Sequence, residues 1–347
     1  MKKARNQSID FLRGIAVILV VVGHTVQLAN GLDYRNSGAF YEEPVYRFIY
    51  GFHMPLFHLI SGYLAAYSFR AHDWKNEISK KAVQLGLPII TWGVIQFLVE
   101  RLRPGFAIRP YQLIVAARYC LESNWFLWSV LIAYVLVGIG HYVLKDHWLY
   151  YAVIVVLMFV TSDEYNFKMY KFVFVFFLTA YLYNMHRLEQ PKRTDFTKKN
   201  YRMTGGICFL AYMILLQFFH ENQYIYTSGF TLLGRDNAAA QLGIDVFRTM
   251  LGFFGSLAVI CAVQYLFLSK EGTWLQKRIA VIGIRSIGIY LISGILLGYG
   301  FRRFFTSWTF SYPRTMVVAL LIVIFCDVTI AVIERFPKLS ILFFGRK

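Results

Sequence analysis

The stretch IDFLRGIAVILVVVGHT, residues 9–25, is apolar enough to begin a membrane-spanning helix, yet it contains Asp10, Arg13 and His24. Arg13 and His24 are eleven residues apart, which in an α-helix is three turns plus about 20°, or about 16 Å along the axis. The two side chains therefore share one face, and Asp10 lies within reach of an i,i+3 ion pair with Arg13. Ionisable groups at membrane depth cost about 3 kcal/mol each, so we expect this stripe to face the interior of a helix bundle.

The composition indicates a membrane protein rather than a soluble one. Of 347 residues, 57% are hydrophobic and 16% are charged, and apolar runs long enough to cross a bilayer recur along the chain. The first run is not expected to be a cleaved signal peptide, because it contains Arg13 and His24 and further spans follow it. The basic residues that give the net charge of +17 lie in short turns between apolar runs. This distribution favours contact with anionic lipid or substrate and argues against nucleic-acid binding. The four cysteines are far apart and are predicted to be core residues without a disulfide or a metal.

Hydropathy predicts an all-α, polytopic membrane bundle of about ten transmembrane helices, forming a single domain over residues 1–347 with no appended soluble domain. The predicted spans are 9–29, 45–69, 83–100, 124–144, 148–161, 167–184, 203–220, 246–268, 279–300 and 315–334. With the N terminus inside, the inner connections carry 21 Lys and Arg residues, against 13 in the outer connections and their flanks. This bias predicts two cytoplasmic termini and a multi-pass protein of the cell (cytoplasmic) membrane.

The outer connection after the third span is basic for a positive-inside protein. It contains Arg101, Arg103, Arg109 and Arg118. These side chains either snorkel toward lipid phosphates or form a surface that holds an anionic or polyhydroxylated acceptor.

Polar and aromatic side chains in or near other spans are weaker candidates for donor or acceptor binding: His53, Ser61, Lys80, Lys81, Asn124, Trp125 and Tyr290. Pro55 can kink the second span and leave a carbonyl free to line a cavity near His53. Ser61 also suits close helix packing, and Trp125 also suits an aromatic belt at the membrane interface. Tyr290 belongs to a polar stripe that either packs against a neighbouring helix or lines the same cavity. No metal site is predicted, because no HExxH pattern or carboxylate cluster accompanies the histidines.

Four segments taken in order, IDFLRGIAVILVVVGHT, FHMPLFHLISGYL, NWFL and SIGIYLIS, resemble the membrane acyltransferase-3 family, and most closely its fucose 4-O-acetylase-like branch. The resemblance covers nearly the whole chain, and the spacing from arginine to histidine in the first segment is its most specific element. It implies a multi-helix membrane enzyme that moves an acyl group, usually acetyl from cytoplasmic acetyl-CoA, to a sugar hydroxyl of an envelope or exported glycan. It also implies that His24 is the catalytic imidazole and that Arg13 is its partner or a ligand of the donor.

Two positions depart from the family pattern. Relatives commonly have an arginine shortly before the proline that opens the third span, where this chain has Gln84 in KKAVQLGLP. Lys80 and Lys81 then supply the charge in that region. Relatives also often have a histidine where this chain has Ser293, so no second catalytic histidine is predicted there.

The sequence therefore predicts a membrane O-acyltransferase that uses acetyl-CoA as co-substrate and has no tightly bound cofactor. A sugar hydroxyl must lose its proton as it attacks a thioester, and a neutral imidazole suits that task, so His24 is the predicted general base. Asp10 and Arg13 are expected to orient and polarise the reacting groups. At about 16 Å from His24, Arg13 suits the pantetheine or phosphate end of CoA better than the reacting carbonyl. Direct transfer and an acyl-histidine intermediate both stay open.

Two other classes of protein share the same features. A carrier or flippase for a lipid-linked sugar or a small solute would use the polar stripe as a translocation path, with His24 as a proton relay. A non-catalytic scaffold would use the buried charges only to fix the register of its helices. The sequence makes no prediction of the oligomeric state.

Overall fold

The computed structural model describes residues 6–32, 38–102, 111–190, 196–269, 272–301 and 309–346. Within these ranges the chain is a bundle of α-helices joined by short turns. The helices are α1 (Gln7–Ala29), α2 (Pro44–Tyr50), α3 (His53–Ala71), α4 (Trp74–Lys81), α5 (Leu87–Arg101), α6 (Gln112–Glu122), α7 (Trp125–Tyr142), α8 (Trp148–Val160), α9 (Phe167–Glu189), α10 (Lys198–Leu216), α11 (Ile225–Ser228), α12 (Ala238–Ser269), α13 (Trp274–Ile284), α14 (Ser286–Ile295), α15 (Tyr312–Ile333) and α16 (Pro337–Phe344). A π-helical turn, Ala82–Gly86, joins α4 to α5, and another, Leu296–Phe301, follows α14.

Five stretches of helix are long and apolar enough to cross a membrane, which agrees with the predicted multi-pass membrane class. They are Gln7–Ala29, Trp74–Arg101, Trp125–Tyr142, Ala238–Ser269 and Tyr312–Ile333, and the bent pair α13–α14 gives a sixth. Each of the ten predicted spans overlaps one helix or two to three consecutive helical segments, although the span 203–220 extends beyond the end of α10 at Leu216. The number of helices that cross the membrane and the side on which the termini lie stay predictions.

Helix α1 lies at the centre of the bundle and packs against α2, α3, α12, α13, α14 and α15. It begins at Gln7 because the Asn6 side chain accepts a hydrogen bond of 3.1 Å from the Ser8 amide, which satisfies one of the open donors of the first turn. A Cβ at Gly14 would overlap the Ile279 carbonyl oxygen of α13, and one at Gly283 would overlap the Asp10 carbonyl oxygen. Two glycines therefore let the backbones of α1 and α13 touch, as small residues do between membrane helices.

The second predicted span is divided into α2 and α3, with the break at Gly51 and Phe52 rather than at Pro55. Pro55 lies in the first turn of α3, where a missing N–H costs no intrahelical hydrogen bond. The break is held from outside the segment, because Ser256 of α12 donates to the Phe52 carbonyl at 3.2 Å. A Cβ at Gly51 would come within 2.6 Å of the Tyr212 hydroxyl of α10.

The ninth predicted span is also not a single straight helix. Helices α13 and α14 are bent by 68° at their junction. Arg285 occupies this junction, and its Nη1 donates to Asp327 Oδ1 of α15 at 2.7 Å. Its Nη2 lies 2.8 Å from Glu334 Oε2. The carboxylates of Asp327 and Glu334 therefore hold the bend.

The basic connection after the third span contains the helix α6, which the hydropathy pattern did not predict. The Arg101 guanidinium lies 4.9 Å from the centre of the Phe97 ring, and Arg118 pairs with Glu122 at 2.6 Å. Arg103 and Arg109 lie outside the described residues.

Close packing of α3 on α9 predicts a specific effect on stability. A Cβ at Gly62 would overlap the Phe177 carbonyl oxygen, so Gly62→Ala should force the two helices apart, at a cost of about 1–3 kcal/mol. The measurement is the thermal unfolding midpoint of the purified protein in detergent. Gly206→Ala is the matched control, because Gly206 lies in α10 with nothing within 4 Å of its Cβ position. Equal midpoints for the two variants would contradict the prediction.

Candidate active site

His24 lies in α1 at the centre of a small polar group that includes Gln27 and Tyr50. Its Nδ1 is 3.0 Å from Gln27 Oε1 and 3.0 Å from the Tyr50 hydroxyl, and the hydroxyl lies 3.3 Å from Gln27 Oε1. The Tyr50 ring fills the space left by the absent side chain of Gly23, because a Cβ at Gly23 would lie 2.9 Å from Tyr50 Cε2.

The contacts of Nδ1 determine which nitrogen of His24 can act as a base. The Gln27 oxygen can only accept a hydrogen bond, so Nδ1 carries the proton when it bonds to that oxygen. Nε2 then has the free lone pair of a neutral imidazole, which is the form that removes a proton from a hydroxyl. Gln27 and Tyr50 thus orient the ring with Nε2 as the basic atom.

A cavity of about 510 Å³ surrounds Arg13 and is called the Arg13 cavity below. Its polar lining residues are Arg13, Ser61, Ser68, Lys81, Gln84, Tyr134, Ser286, Glu334 and Arg346. Its remaining lining residues come mostly from α3, α7 and α14. The cavity therefore brings together residues from both ends of the sequence.

The Arg13 cavity is positively charged. Arg13, Lys81 and Arg346 face one carboxylate, that of Glu334, among its lining residues. Arg13 Nη2 donates to Ser286 Oγ of α14 at 3.2 Å, and Lys81 Nζ lies 4.5 Å from the centre of the Tyr134 ring. Cations that are held in place around a concave space suit an anionic ligand such as a phosphate group.

Two other donor-site candidates lie at or near this cavity. Ser61 lines it, whereas Lys80 is not among its lining residues. Lys80 Nζ instead lies 3.7 Å from Glu77 Oε2. Glu77 is buried and accepts hydrogen bonds from Ser68 and Tyr134, two residues of the cavity wall. The buried carboxylate thus links α3, α4 and α7 behind the cavity.

A second, smaller space of about 30 Å³ lies beside Tyr50 and is called the Tyr50 pocket. It is lined by Tyr50, Gly51, His53, Met54, Trp125, Met169, Phe172, Val173, Phe219, Gln223, Tyr224, Ile225, Tyr226, Arg248 and Leu251. A cavity needs a volume of about 10–15 Å³ to hold one water molecule. The pocket is therefore a small aromatic space with a few polar groups.

The two spaces are close neighbours. Along α3, His53 and Met54 line the Tyr50 pocket and Phe57 lines the Arg13 cavity, a separation of about one helical turn. At the start of α7, Trp125 lines the pocket and Phe126 lines the cavity. On both helices, residues that line the pocket are therefore close in sequence to residues that line the cavity.

Five predicted site residues are absent from the linings of both spaces: His24, Asp10, Lys80, Asn124 and Tyr290. Asp10 is buried where α1 crosses α13 and is not among the residues that line the Arg13 cavity. Asn124 is buried and accepts a hydrogen bond from Gln96 of α5 at 3.2 Å, so it ties α7 to α5. The Tyr290 ring lies 5.2 Å from that of Phe126, which lines the cavity. His53, which does line the pocket, has its Nδ1 2.9 Å from the Ile49 carbonyl oxygen.

Sequence reasoning missed Gln27, Tyr50 and Arg346. Gln27 follows His24 by three residues, a spacing that places both on one helix face and could have indicated a partner. Tyr50 ends a different helix and Arg346 is the penultimate residue of the chain. No local pattern links these two positions to α1.

Comparisons with known proteins agree with this architecture. A family model described as an acyltransferase domain matches residues 6–333. Nodulation protein NolL of Sinorhizobium fredii is 37% identical over 136 residues, which is 38% of this chain and 36% of that protein. Nodulation protein NolL of Mesorhizobium japonicum is 31% identical over 138 residues, which is 38% of this chain and 35% of that protein.

The matched stretch spans about a third of the length of these curated relatives. No solved structure matches the chain. The family assignment therefore rests on the family model, which covers nearly all of the 347 residues. The chain belongs to the acyltransferase-3 family.

Proposed function

We propose that this protein transfers an acetyl group from cytoplasmic acetyl-CoA to a hydroxyl of a cell-envelope or exported polysaccharide sugar, within the cell membrane. The observation that carries the proposal is the cationic Arg13 cavity, which lies along the same helix as the His24 group. Under the predicted orientation the cavity is on the cytoplasmic side, where acetyl-CoA is available. The family assignment supports acyl transfer as the reaction.

The donor occupies the Arg13 cavity in this proposal. Arg13 and Lys81 contact the anionic end of CoA, because each is held at the wall by a neighbouring polar or aromatic side chain. Ser61 supplies a hydroxyl to the same wall. The pantetheine arm then extends along α1 toward His24, over a distance of about 16 Å.

The acceptor sugar approaches His24 from the side of the Tyr50 pocket. Trp125 and Tyr226 present aromatic faces there, and Arg248 and Gln223 present polar groups. Such a mixture suits a sugar ring, which has apolar C–H faces and a rim of hydroxyls. The pocket measures about 30 Å³, so side chains such as His53 and Tyr226 must move to admit a sugar.

In a direct transfer, His24 Nε2 accepts the proton of the sugar hydroxyl while its oxygen attacks the thioester carbonyl carbon. A new C–O bond forms and the C–S bond breaks. The CoA thiolate leaves and takes the proton from the imidazolium, which restores neutral His24. The Tyr50 hydroxyl lies beside Nδ1, where its oxygen can accept a hydrogen bond from the imidazolium that forms during the transfer.

The test of the proposal is transfer by the purified protein in detergent, supplied with labelled acetyl-CoA and candidate glycans. Time-dependent formation of labelled glycan with release of free CoA is the expected result. If proteoliposomes instead show saturable uptake of a sugar or small solute without acyl transfer, the protein is a carrier and the proposal is wrong.

A further inference from the structure

The end of the chain forms one wall of the Arg13 cavity. Helix α16 packs against α5 and the π-helical turn before it, and the Trp92 indole N–H of α5 donates to the Phe343 carbonyl at 2.8 Å. Phe344 is 2% exposed. These contacts dock the segment Phe343–Arg346 on α5 and on the preceding π-helical turn, which contributes Gln84 to the cavity.

Gly345 brings this segment into contact with the backbone at residue 84. Gly345 has a φ of +64°, and a Cβ there would lie 2.5 Å from both Gln84 Cα and the Val83 carbonyl oxygen. The left-handed φ and the absent side chain both favour glycine. The residue that follows, Arg346, lines the same cavity as Gln84.

The Arg346 guanidinium is anchored at two points. Its Nη1 donates to the Ile284 carbonyl at the end of α13, at 2.6 Å, and it forms an ion pair with Glu334, which directly follows α15. Glu334 also pairs with Arg285, which in turn pairs with Asp327. The charge at the end of the chain is thus fixed to the bend between α13 and α14 and faces the cavity.

We propose that Arg346 binds phosphate groups of CoA at the Arg13 cavity, together with Arg13 and Lys81; this inference rests on the proposed function. Three cations against Glu334 leave the cavity wall with a positive excess, which an anionic ligand neutralises. A guanidinium presents a planar fork of N–H donors that matches a phosphate better than the point charge of a lysine does. The C-terminal residues are a donor-binding element in this view.

The experiment measures the displacement of radiolabelled acetyl-CoA from the full-length protein in detergent by two competitors. One is CoA, and the other is pantetheine, which has the same thiol arm but lacks the nucleotide with its phosphates. Arg346→Gln should weaken CoA about tenfold and leave pantetheine unchanged, because only the phosphates lose a contact. Arg335→Gln is the matched control: Arg335 is exposed after α15 and is not among the residues lining the cavity. It should bind both probes as the wild type does.

Arg346→Lys keeps the charge without the fork and should weaken CoA by a smaller factor, again without an effect on pantetheine. If Arg346→Gln does not fold, the CoA and pantetheine affinities of Arg346→Lys test the role of Arg346. Unchanged CoA binding, or an equal loss for CoA and pantetheine, would overturn the role of Arg346 while leaving the proposed function intact. A wild-type protein that binds no acetyl-CoA would instead overturn the proposed function itself.

Discussion

Replacing His24 by alanine is expected to lower acetyl transfer from acetyl-CoA by about 100- to 10,000-fold, the range that a positioned general base contributes. His24 is held by Gln27 and Tyr50 with Nε2 as the basic atom. Alanine leaves no group at this position to accept the hydroxyl proton. The measurement is the initial rate of labelled glycan formation at saturating acetyl-CoA.

Two comparisons separate loss of chemistry from loss of folding. His186→Ala is the matched control, because His186 is exposed near the end of α9 and should keep the wild-type rate. The His24→Ala protein should keep its thermal midpoint and its affinity for acetyl-CoA, since the Arg13 cavity is intact. Gln27→Leu, which removes one of the two oxygen partners of Nδ1 and keeps the Tyr50 hydroxyl, should give a smaller loss. A His24→Ala rate within tenfold of the wild-type rate would contradict the assignment of His24 as the general base.

The positions of the long apolar helices could be predicted from the sequence, whereas their breaks and the short helices between them, such as α6, could not. Apolar runs force helices because the bilayer satisfies no backbone hydrogen bond, so each predicted span coincides with helix. The break before α3 depends on Ser256 and Tyr212, about 200 and 160 residues away along the chain. The bend at Arg285 depends on Asp327 of α15 and on Glu334, which directly follows α15. Such long-range partners leave no local signature.

The same distinction applies to the candidate site. The arginine-to-histidine spacing on α1 indicated a polar stripe, and the structure places Arg13 at a cavity wall and His24 in a polar group. The cavity itself is assembled from α1, α3, α7 and the C-terminal segment. The sequence has the uncharged Gln84 where relatives commonly have an arginine, and it left Lys80 and Lys81 as the predicted source of positive charge. Only the fold shows that Gly345 brings Arg346 to that place.

Removing the Arg13 charge is expected to have the second largest effect, and to act on donor binding rather than on proton transfer. Arg13→Gln should lower kcat/KM for acetyl-CoA by about 10- to 100-fold, since a hydrogen bond to a charged group contributes about 1.5–3 kcal/mol. The loss should appear chiefly as a higher KM, because Arg13 is about 16 Å from His24 and cannot contact the reacting carbonyl. Steady-state rates over a range of acetyl-CoA concentrations measure both constants.

The division of the loss between kcat and KM is the decisive observation, because binding that is equal in ground state and transition state changes KM alone. Arg13→Lys should recover part of the affinity, since it keeps the charge but not the planar fork. Arg70→Gln serves as the matched control, because Arg70 is exposed near the end of α3 and is not among the residues lining the cavity. A fall in kcat at unchanged KM would place Arg13 in the chemical step and would require the donor to bind closer to His24 than the Arg13 cavity allows.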